Sequence, residues 1–326
     1  MARMLPKSRI LSALLVGVGI ALIVAGLVAP RFLLGDARFP LNLEHTTWAM
    51  HDPHGRVFDP DAGEDGKVVE VPVTRQLHMT VQNPATEERT GLRIGDSLLR
   101  GDKDSDFDNL ITASTWSYEM DRKSGAFVTT ANLSTVMAMP DAEVPVDGVW
   151  LKFPLDVEQT DYAVFEPSLR TTVPATFKEE REVAGRSVYV FEQRVEAVNV
   201  AKLYADAANT KTLPAPDGGQ RQVFRHHDAT REFTVDQITG VVVGINERVD
   251  DYYADHAGRR AQDIVAYDAV MDPADVEQMA GQLTTVTQSV SRWVTWGTIG
   301  LGSLLAIGGL IGALRPGRGR SAQVTS

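Results

Sequence analysis

Residues 10–29 form the run ILSALLVGVGIALIVAGLVA, and residues 294–314 form a second run, VTWGTIGLGSLLAIGGLIGAL. Neither run contains a charged side chain. Each has about 20 residues, enough for an α-helix to cross the roughly 30 Å hydrocarbon core of a bilayer. A single segment inside a bilayer satisfies its backbone hydrogen bonds as a helix. The two runs therefore predict two transmembrane helices with a large domain between them.

The first run also has one feature of a signal peptide, because Arg3, Lys7 and Arg9 precede it as a basic n-region. The run is longer than a typical h-region of about 7–15 residues. Pro30 follows it directly, where a peptidase would need an acceptable bond. Both observations favour an uncleaved anchor over a cleaved signal peptide.

The cations near the two runs predict the orientation in the membrane. Three precede the first run and three follow the second, and the flanking tails contain no acid. By the positive-inside rule both termini are cytoplasmic, so the chain is a two-pass protein of the cytoplasmic (inner) membrane with an exported middle. Trp293 and Trp296 suit the outer interface. The cations are Arg3, Lys7, Arg9, Arg315, Arg318 and Arg320.

The part between the runs is acidic and lacks cysteine. It carries 26 of the 32 Lys and Arg residues against all 43 Asp and Glu residues, a net charge of about −17. A nucleic-acid partner is excluded, because binding to phosphates needs clustered cations. The chain has no cysteine, so disulfides, thiolate zinc sites and iron–sulfur clusters are excluded.

Alternation of apolar and polar residues is the commonest pattern in this part, and it predicts half-buried antiparallel strands. Residues 74–81, 115–120 and 186–197 show it most clearly, with Tyr189, Phe191, Val195 and Ala197 on one face of the last. Stretches rich in Asp, Gly and Pro predict loops. These loops are residues 51–66, 101–109 and 213–219, and a short helix is predicted over 198–208.

Two predicted hairpins resemble each other at an offset of 115 residues. Tyr118–Val128 contains Asp121, Ser124 and Gly125, and Phe233–Val243 contains Asp236, Thr239 and Gly240. In each, Asp opens the turn and Gly closes it. We therefore expect two similar β-rich halves, with chance resemblance as the open alternative.

The approach to the second run predicts a helical stalk. Asp272 can cap a helix with Pro273 at its first position, and apolar residues then recur every three or four positions up to Trp293. One continuous helix from Pro273 to about Leu314 is expected. Small residues at Ala13, Gly17, Ala21 and Ala25 and at Gly308 and Gly312 would allow the two membrane helices to pack.

The predicted fold class is membrane-anchored α+β, mostly β, with an exported antiparallel-β ectodomain between N- and C-terminal transmembrane helices. The expected domains are a cytoplasmic N-tail (1–9), transmembrane helix 1 (10–29), two ectodomain halves (30–150 and 151–271), a juxtamembrane stalk helix (272–293), transmembrane helix 2 (294–314) and a cytoplasmic C-tail (315–326).

The sequence shows no strong catalytic or metal-binding motif. Residues 102–109 contain four aspartates, but Phe107 and Ala113 occupy the positions where an EF-hand needs Gly and Glu, which favours a solvated acidic loop. His226 and His227 are adjacent, and neighbours on a strand point to opposite faces, so the pair does not make a metal site. No catalytic, cofactor-binding or metal-binding residue is assigned, and no cofactor is expected.

Several stretches together resemble the actinobacterial porin PorA-like family. They are Pro30-Arg31 after the anchor, Phe153-Pro154-Leu155-Asp156 followed by Asp161-Tyr162, Gly185–Phe191, Val235–Gly240 and the terminal apolar run. The resemblance covers nearly the whole chain. It implies a cell-envelope protein of mycolic-acid bacteria, of a family otherwise described as having unknown function, concerned with mannose-containing lipoglycans.

The leading hypothesis is a non-enzymatic protein that binds, transfers or scaffolds envelope lipids or lipoglycans, including lipomannan and lipoarabinomannan maturation. It predicts a continuous apolar cavity open toward the bilayer. One alternative is an envelope glycan-modifying enzyme with two converging acids. Another is a porin or channel subunit, although neither membrane helix has a polar face. A glycosyltransferase or a transporter is the protein partner that a scaffold would recruit.

Overall fold

Four helices and thirteen strands form the regular structure of the residues that the computed structural model describes, which are 7–33, 38–63, 66–135, 140–215, 218–283 and 288–314. The helices are α1 Lys7–Leu33, α2 Asp106–Asn109, α3 Pro273–Gly281 and α4 Gln288–Leu314. The strands are β1 Thr47–Asp59, β2 Lys67–Ala85, β3 Arg89–Arg100, β4 Leu110–Asp121, β5 Ala131–Ser134, β6 Ala142–Val144, β7 Tyr162–Glu166, β8 Thr171–Val183, β9 Arg186–Asn199, β10 Thr210–Pro214, β11 Gln220–Asp236, β12 Val242–Ala254 and β13 Arg260–Met271.

These elements belong to two units. Helices α1 and α4 form one unit, the helix pair, and residues 37–284 form the other, the β domain. Within the helix pair, Leu11–Val28 and Val294–Leu314 are long and apolar enough to cross a membrane. Trp296 is 70% exposed on α4, whereas the side chain of Trp293 lies outside the described residues. The tails 1–6 and 315–326, which carry most of the orienting cations, also lie outside them.

Small residues spaced seven apart form the contact between the two helices. Ser12, Gly19 and Gly26 are buried in α1, and Gly302 and Gly309 are buried in α4. A Cβ added at Gly302 would lie 2.6 Å from the carbonyl oxygen of Gly19, so the backbones touch there. Ser12 meets Gly309 while Gly19 meets Gly302, which makes the pair antiparallel. The absence of side chains at these positions permits the close approach.

The contact row predicted from the sequence is therefore largely wrong. Ala13, Gly17, Ala21 and Ala25 are exposed, and nothing lies within 4 Å of a Cβ added at Gly17. The buried positions of α1 lie one or two residues away from the predicted ones. A seven-residue spacing follows the helix contact more closely than a four-residue spacing does.

All thirteen strands join one antiparallel sheet. The path runs β6-β5-β4-β3-β2-β1-β13-β12-β11-β9-β8-β7, and β10 pairs with β11 beside this path. Strands β1 to β6 therefore form one side, and strands β7 to β13 form the other. The two sides join where β1 pairs with β13, for example at Met50 and Met271.

The sheet curves until its two ends pack against each other. Trp116 on β4 contacts Phe165 on β7 with ring centroids 5.4 Å apart, although these strands lie near opposite ends of the path. Trp48 on β1 donates its indole N–H to the carbonyl oxygen of Val242 across the interior. One apolar core fills the space between, and it includes Trp48, Phe153, Phe191, Met79 and Ile94.

Alternation predicted the strands correctly. Residues 74–81, 115–120 and 186–197 lie in β2, β4 and β9, and Leu77, Met79, Trp116 and Tyr118 are buried. Ala197 is the exception: it is exposed, with φ of +46°, at a register shift between β9 and β11. The bulge inserts a residue and so reverses the facing of the positions after it.

Two local predictions were wrong. Residues 51–59 belong to β1 and are not loop, because a register shift between Asp52 and Gly55 places the turn-type residues at a bulge within the strand. Residues 198–208 form only two short 3₁₀ turns, Val200–Lys202 and Ala207–Asn209, after a strand that continues to Asn199.

The predicted continuous helix from Pro273 to Leu314 is also wrong. Asp272 caps α3 as expected, by accepting a hydrogen bond from the N–H of Ala274. The helix ends at Gly281, and the Gln282 side chain hydrogen-bonds the backbone of Glu44 and His45. These bonds fix the end of α3 to the start of the sheet. Residues 284–287 lie outside the described part.

The two matching hairpins both form, and their turns have the same bonds. Asp121 accepts from the N–H and hydroxyl of Ser124, and Asp236 accepts from the N–H and hydroxyl of Thr239. The closing residues, Gly125 and Gly240, have φ of +74° and +69°. Residues 150–157 pass between the two turns and bond to both.

Candidate functional site

A cavity lies inside the β domain, and a second, wider one adjoins it. The inner cavity has a volume of about 150 Å³, and the outer one, here called the vestibule, about 470 Å³. The two share six lining residues: Asp96, Ile111, Thr112, Ser168, Ala208 and Arg225. Strands from both sides of the sheet line the inner cavity, so it exists only because the sheet curves.

A chain of buried ion pairs lies beside the inner cavity, and three of its members, Arg75, Asp96 and Arg231, line it. Arg75 on β2 binds Asp96 on β3 at 2.9 Å and Glu247 on β12 at 3.0 Å. Arg231 on β11 binds the same Glu247 at 2.7 Å, and its other side pairs with Glu166 on β7. The five side chains connect strands that are far apart in the sheet path.

A second buried group contacts the same cavity. His227 Nδ1 lies 2.5 Å from the Asp251 carboxylate, and Arg225 donates to that carboxylate at 2.6 Å. His227 Nε2 lies 3.7 Å from Glu166, which links this group to the ion-pair chain. Together the two groups hold three guanidinium cations and four carboxylates.

The cations keep these buried carboxylates ionised. Burial alone would raise the pKa of Glu247, but Arg75 and Arg231 lower it to about 2. Burial likewise opposes ionisation of Asp251, and Arg225 and His227 hold its pKa well below the ordinary value. Charged side chains therefore interrupt the apolar lining. This is not the continuous apolar cavity that the lipid-binding hypothesis predicts.

Four buried polar atoms on residues that line the two cavities have no protein hydrogen-bond partner. In the inner cavity they are Arg231 Nη2 and His227 Nε2, and in the vestibule they are Trp116 Nε1 and Asn209 Oδ1. Buried polar groups are normally satisfied by protein, water or ligand. The vestibule also contains Arg170, whose guanidinium stacks 3.7 Å from the centroid of the Tyr204 ring.

Sequence reasoning assigned no residue to this site, although one signal was present. Inward-facing positions of β11 are odd-numbered, and Ala229, Phe233 and Val235 are buried there. Arg231 falls in the same row, directly opposite Glu247 on β12. A charged residue in the inward register of an apolar strand is costly unless paired, so it marks a polar interior site.

The residues that sequence reasoning singled out lie elsewhere, apart from His227. In the acidic loop, Asp102 pairs with Arg100, and Ser105 caps α2 by accepting from the N–H of Asp108. His226 stacks on Tyr252 on the other face of β11 from His227. Within the described residues, no group of three or more His, Cys, Asp and Glu side chains could hold a metal ion.

Lys152 forms a separate buried polar site between the two matching turns. It is 1% exposed, and its ammonium donates to the carbonyl oxygens of Lys123 and Phe153. Burial lowers the pKa of Lys152 to about 7, against the opposing effect of Asp121 and Asp236. Both of its hydrogen bonds are internal to this region, one to the first turn at Lys123 and one to the adjacent residue Phe153.

The fold and the site define a β-sheet protein with two apolar helices that could anchor it in a membrane and a charged cavity in its sheet domain. A family model described as Porin PorA matches residues 11–311, so the chain belongs to that family. A relative named Porin PorA, from Corynebacterium resistens, is 22% identical over an alignment of 403 positions, which covers 94% of this chain and 97% of the relative. The resemblance noted in the sequence is thereby confirmed.

Proposed function

We propose that this chain is a non-enzymatic subunit of a cell-envelope channel, in which the helix pair anchors the subunit in the membrane and the β domain provides a polar entrance. The observation that carries the proposal is the charged, partly unsatisfied cavity with its vestibule inside the β domain. The family name supports passage of polar solutes.

The helix pair is suited to anchoring. Its contact face is closed by glycine backbones, and its remaining surface is apolar, with Leu14, Ile20, Leu304 and Leu310 more than half exposed. No polar row of the kind that lines aqueous pores is present in Leu11–Val28. A conducting unit would therefore need several copies of the chain, with the exported β domains forming a polar entrance to the pore.

The proposed location is the cytoplasmic membrane, with both termini inside and the β domain exported. The cations in the terminal tails support this orientation. Labelling of single cysteines placed at Ser8 and at Thr176 with a membrane-impermeant thiol reagent tests it. Only Thr176→Cys should react in intact cells, and reaction at Ser8→Cys would contradict the topology.

Planar-bilayer recording with the purified full-length chain tests the channel. Stepwise conductance above that of protein-free bilayers is expected, together with an oligomer in native mass spectrometry. Heat-denatured protein is the control. A chain that remains monomeric and gives no conductance at any protein-to-lipid ratio would contradict the proposal.

An envelope lipid or lipoglycan as partner is a second proposal. The vestibule favours it through one feature, the polar groups of Asp206 and Asn209 beside the Tyr204 ring, one face of which Arg170 covers. Native mass spectrometry from the protein's own membranes, with lipid identification, tests it. A stoichiometric glycolipid is expected. Absence of any bound lipid would contradict this proposal, and co-purification of a glycosyltransferase or transporter instead would favour the scaffold role.

A further inference from the structure

One aromatic side chain of the β domain projects into solvent from an ordered loop. Phe107 lies on the short helix α2, in the loop 101–109, here called the Phe107 loop, and it is 85% exposed. Asn109 closes this loop by exchanging hydrogen bonds with the backbone of Lys103 at 2.9 and 3.0 Å. Ser105 caps α2 at the N–H of Asp108. Because the loop is already ordered, a partner that binds the ring loses little binding energy in fixing it.

Two exposed carboxylates flank this ring. Among the residues that the structure describes, neither the Asp104 nor the Asp106 side chain forms an ion pair or a hydrogen bond. Protein interfaces commonly place an aromatic side chain at the centre of a contact and polar or charged groups around it. The surface that fits the Phe107 loop is therefore a pocket with some apolar lining and cations at its border.

A pocket with these properties lies on the outer face of the sheet. It has a volume of about 290 Å³ and lies near the register shift between His51 and Arg56, where β1 and β13 part. Val249, Ala266 and Tyr267 contribute apolar lining. A benzene ring fits an apolar protein cavity of about 150 Å³, so this volume is sufficient for the ring of Phe107.

Two unpaired cations border this pocket, which is here called the arginine pocket. Arg56 on β1 and Arg248 on β12 both line it, and both are exposed. Neither guanidinium forms an ion pair or a hydrogen bond with any described residue. Strand β13 separates β1 from β12, so the two cations flank the pocket from opposite sides.

The acids that line the arginine pocket are largely engaged with other groups. Asp250 binds Arg260 at 2.7 Å. Asp52 is buried and accepts from the backbone N–H groups of His54 and Asp268. The carboxylate of Asp268 has no ion pair within the described part of the chain. Two unpaired guanidiniums therefore stand against one unpaired carboxylate, which leaves a surplus of positive charge.

The Phe107 loop and the arginine pocket lie on opposite faces of β1. Arg56 is on the outer face, whereas Asp59 is buried on the inner face. There the Asp59 carboxylate binds Arg100 at 2.9 Å and Lys103, in the Phe107 loop, at 3.0 Å. A contact between loop and pocket therefore joins two molecules through different surfaces. Repeated contacts of this head-to-tail kind close into a ring when the rotation between neighbours permits.

We infer that copies of this chain associate head to tail, with Phe107 of one copy in the arginine pocket of the next. Asp104 and Asp106 then lie beside the guanidiniums of Arg56 and Arg248. This inference rests on the proposed function, since it names the surfaces that join the several copies which a channel needs. The membrane anchors confine all copies to one bilayer, and this raises their effective concentration, so a contact of modest area is sufficient.

Crosslinking between two different single-cysteine chains tests the contact, because the natural chain contains no cysteine. Full-length Asp104→Cys and His54→Cys chains are mixed in liposomes and treated with a short membrane-permeant bismaleimide. We expect the mixed dimer at a yield at least tenfold above that of Asp104→Cys with Glu182→Cys, at an exposed residue outside the arginine pocket. Equal yields would overturn the inference.

Exchange of charges shows whether the two surfaces meet each other. Arg248→Glu and Asp106→Arg should each lower the oligomeric fraction at least fivefold in native mass spectrometry of the full-length chain. A chain that carries both changes should recover most of that fraction, since each new glutamate then meets a new arginine on the next copy. A double variant no better than the single variants would overturn the inference.

A matched pair of truncations tests the aromatic anchor. Phe107→Ala should lower the oligomeric fraction at least fivefold. Leu203→Ala, at another exposed apolar residue, should leave it unchanged. Equal fractions for the two variants would overturn the role of Phe107.

Conductance measured on the same preparations separates this inference from the channel. An oligomer that conducts and is unaffected by Phe107→Ala and Arg248→Glu overturns the head-to-tail contact alone. An oligomer that forms through this contact and gives no conductance overturns the channel alone. A natural chain that remains monomeric in the membrane overturns both.

Discussion

At the scale of single residues, burial of charge decides how the β domain responds to pH. Lys152 is the clearest case, because its folded-state pKa is about 7 and its ordinary value is 10.5. Below about pH 7 it is protonated in both states and adds no pH dependence. Between about 7 and 10.5 the unfolded chain binds a proton that the folded chain does not, so the free energy of unfolding rises with pH across this window.

Substitution of Lys152 tests this sign. Lys152→Met should remove this rise. As pH increases from 7 to 10, the unfolding free energy of the natural chain should therefore increase relative to that of Lys152→Met. Urea unfolding at several pH values measures it. Lys178→Met, at an exposed lysine, is the control. An identical dependence of unfolding free energy on pH for Lys152→Met and the natural chain would contradict the lowered pKa of Lys152.

The buried carboxylic acids beside the cavity affect the free energy of unfolding at acid pH. Glu247 has a folded-state pKa of about 2 against an ordinary 4.5, so its contribution to stability is complete above about pH 4.5. It should be lost as pH falls from 4.5 toward 2. Acid titration followed by tryptophan fluorescence should show cooperative unfolding in this window, and retention of native fluorescence at pH 2 would contradict the ion-pair chain.

Arg231 connects two buried carboxylates, so its loss should be severe. Arg231→Met leaves Glu166 and Glu247 without this cation and should cost about 3–5 kcal/mol of unfolding free energy. Arg194→Met removes a cation whose side chain is 64% exposed, and should cost far less than Arg231→Met because water already screens that ion pair. Chemical denaturation of both variants makes the comparison. Similar losses of unfolding free energy would mean that the buried chain of ion pairs is not formed in solution.

At the scale of elements, close contacts at glycine residues stabilise the packing within each of the two units. In the helix pair, a side chain at Gly302 would collide with Gly19, whereas Gly300 faces open space. Gly302→Leu should therefore separate α1 from α4, and Gly300→Leu should not. Crosslinking between cysteines placed at Ser12 and Gly312 reports the separation, because a Cβ at Gly312 would lie 3.7 Å from the Cβ of Ser12. Efficient crosslinking in Gly302→Leu would contradict the packing.

The matching turns depend on glycine for two reasons. A Cβ at Gly125 or Gly240 would collide with the carbonyl oxygen of Lys152 or Phe153, and both residues have positive φ. Gly185 has a similar φ of +72° but open space around it. Gly185→Ala should cost about 1 kcal/mol, and Gly240→Ala clearly more. Equal costs in thermal unfolding would show that the contact with residues 150–157 is unimportant.

Sequence patterns predicted the two apolar helices and several of the strands, and the wrong predictions have physical causes. Alternation located β2, β4 and β9, and the Asp-to-Gly pattern located both turns. The predicted loop over residues 51–59 was wrong because its turn-type residues lie in a bulge of β1. The predicted stalk was wrong because Gln282, at the end of α3, hydrogen-bonds to residues about 237 positions earlier. The cavity could not be assembled from sequence, since Arg75, Glu166 and Glu247 meet only after the sheet curves.

At the scale of the whole molecule, the proposed roles of the two units differ. The helix pair presents an apolar surface suited to lipid, and the β domain contains the charged cavity. In a channel of this kind the vestibule should control which ions pass, because fixed charges in a narrow polar space set the local ion concentration. Asp206 lines the vestibule and is partly exposed.

Reversal potential under a salt gradient is therefore the most direct test of the proposal that ions enter the channel through the vestibule of the β domain. Full-length protein is compared with Asp206→Asn and with Glu182→Gln, which removes an equal charge at an exposed position outside both cavities. We expect Asp206→Asn to shift the reversal potential by several millivolts toward anion selectivity and Glu182→Gln to leave it unchanged. Identical reversal potentials for all three proteins would contradict it.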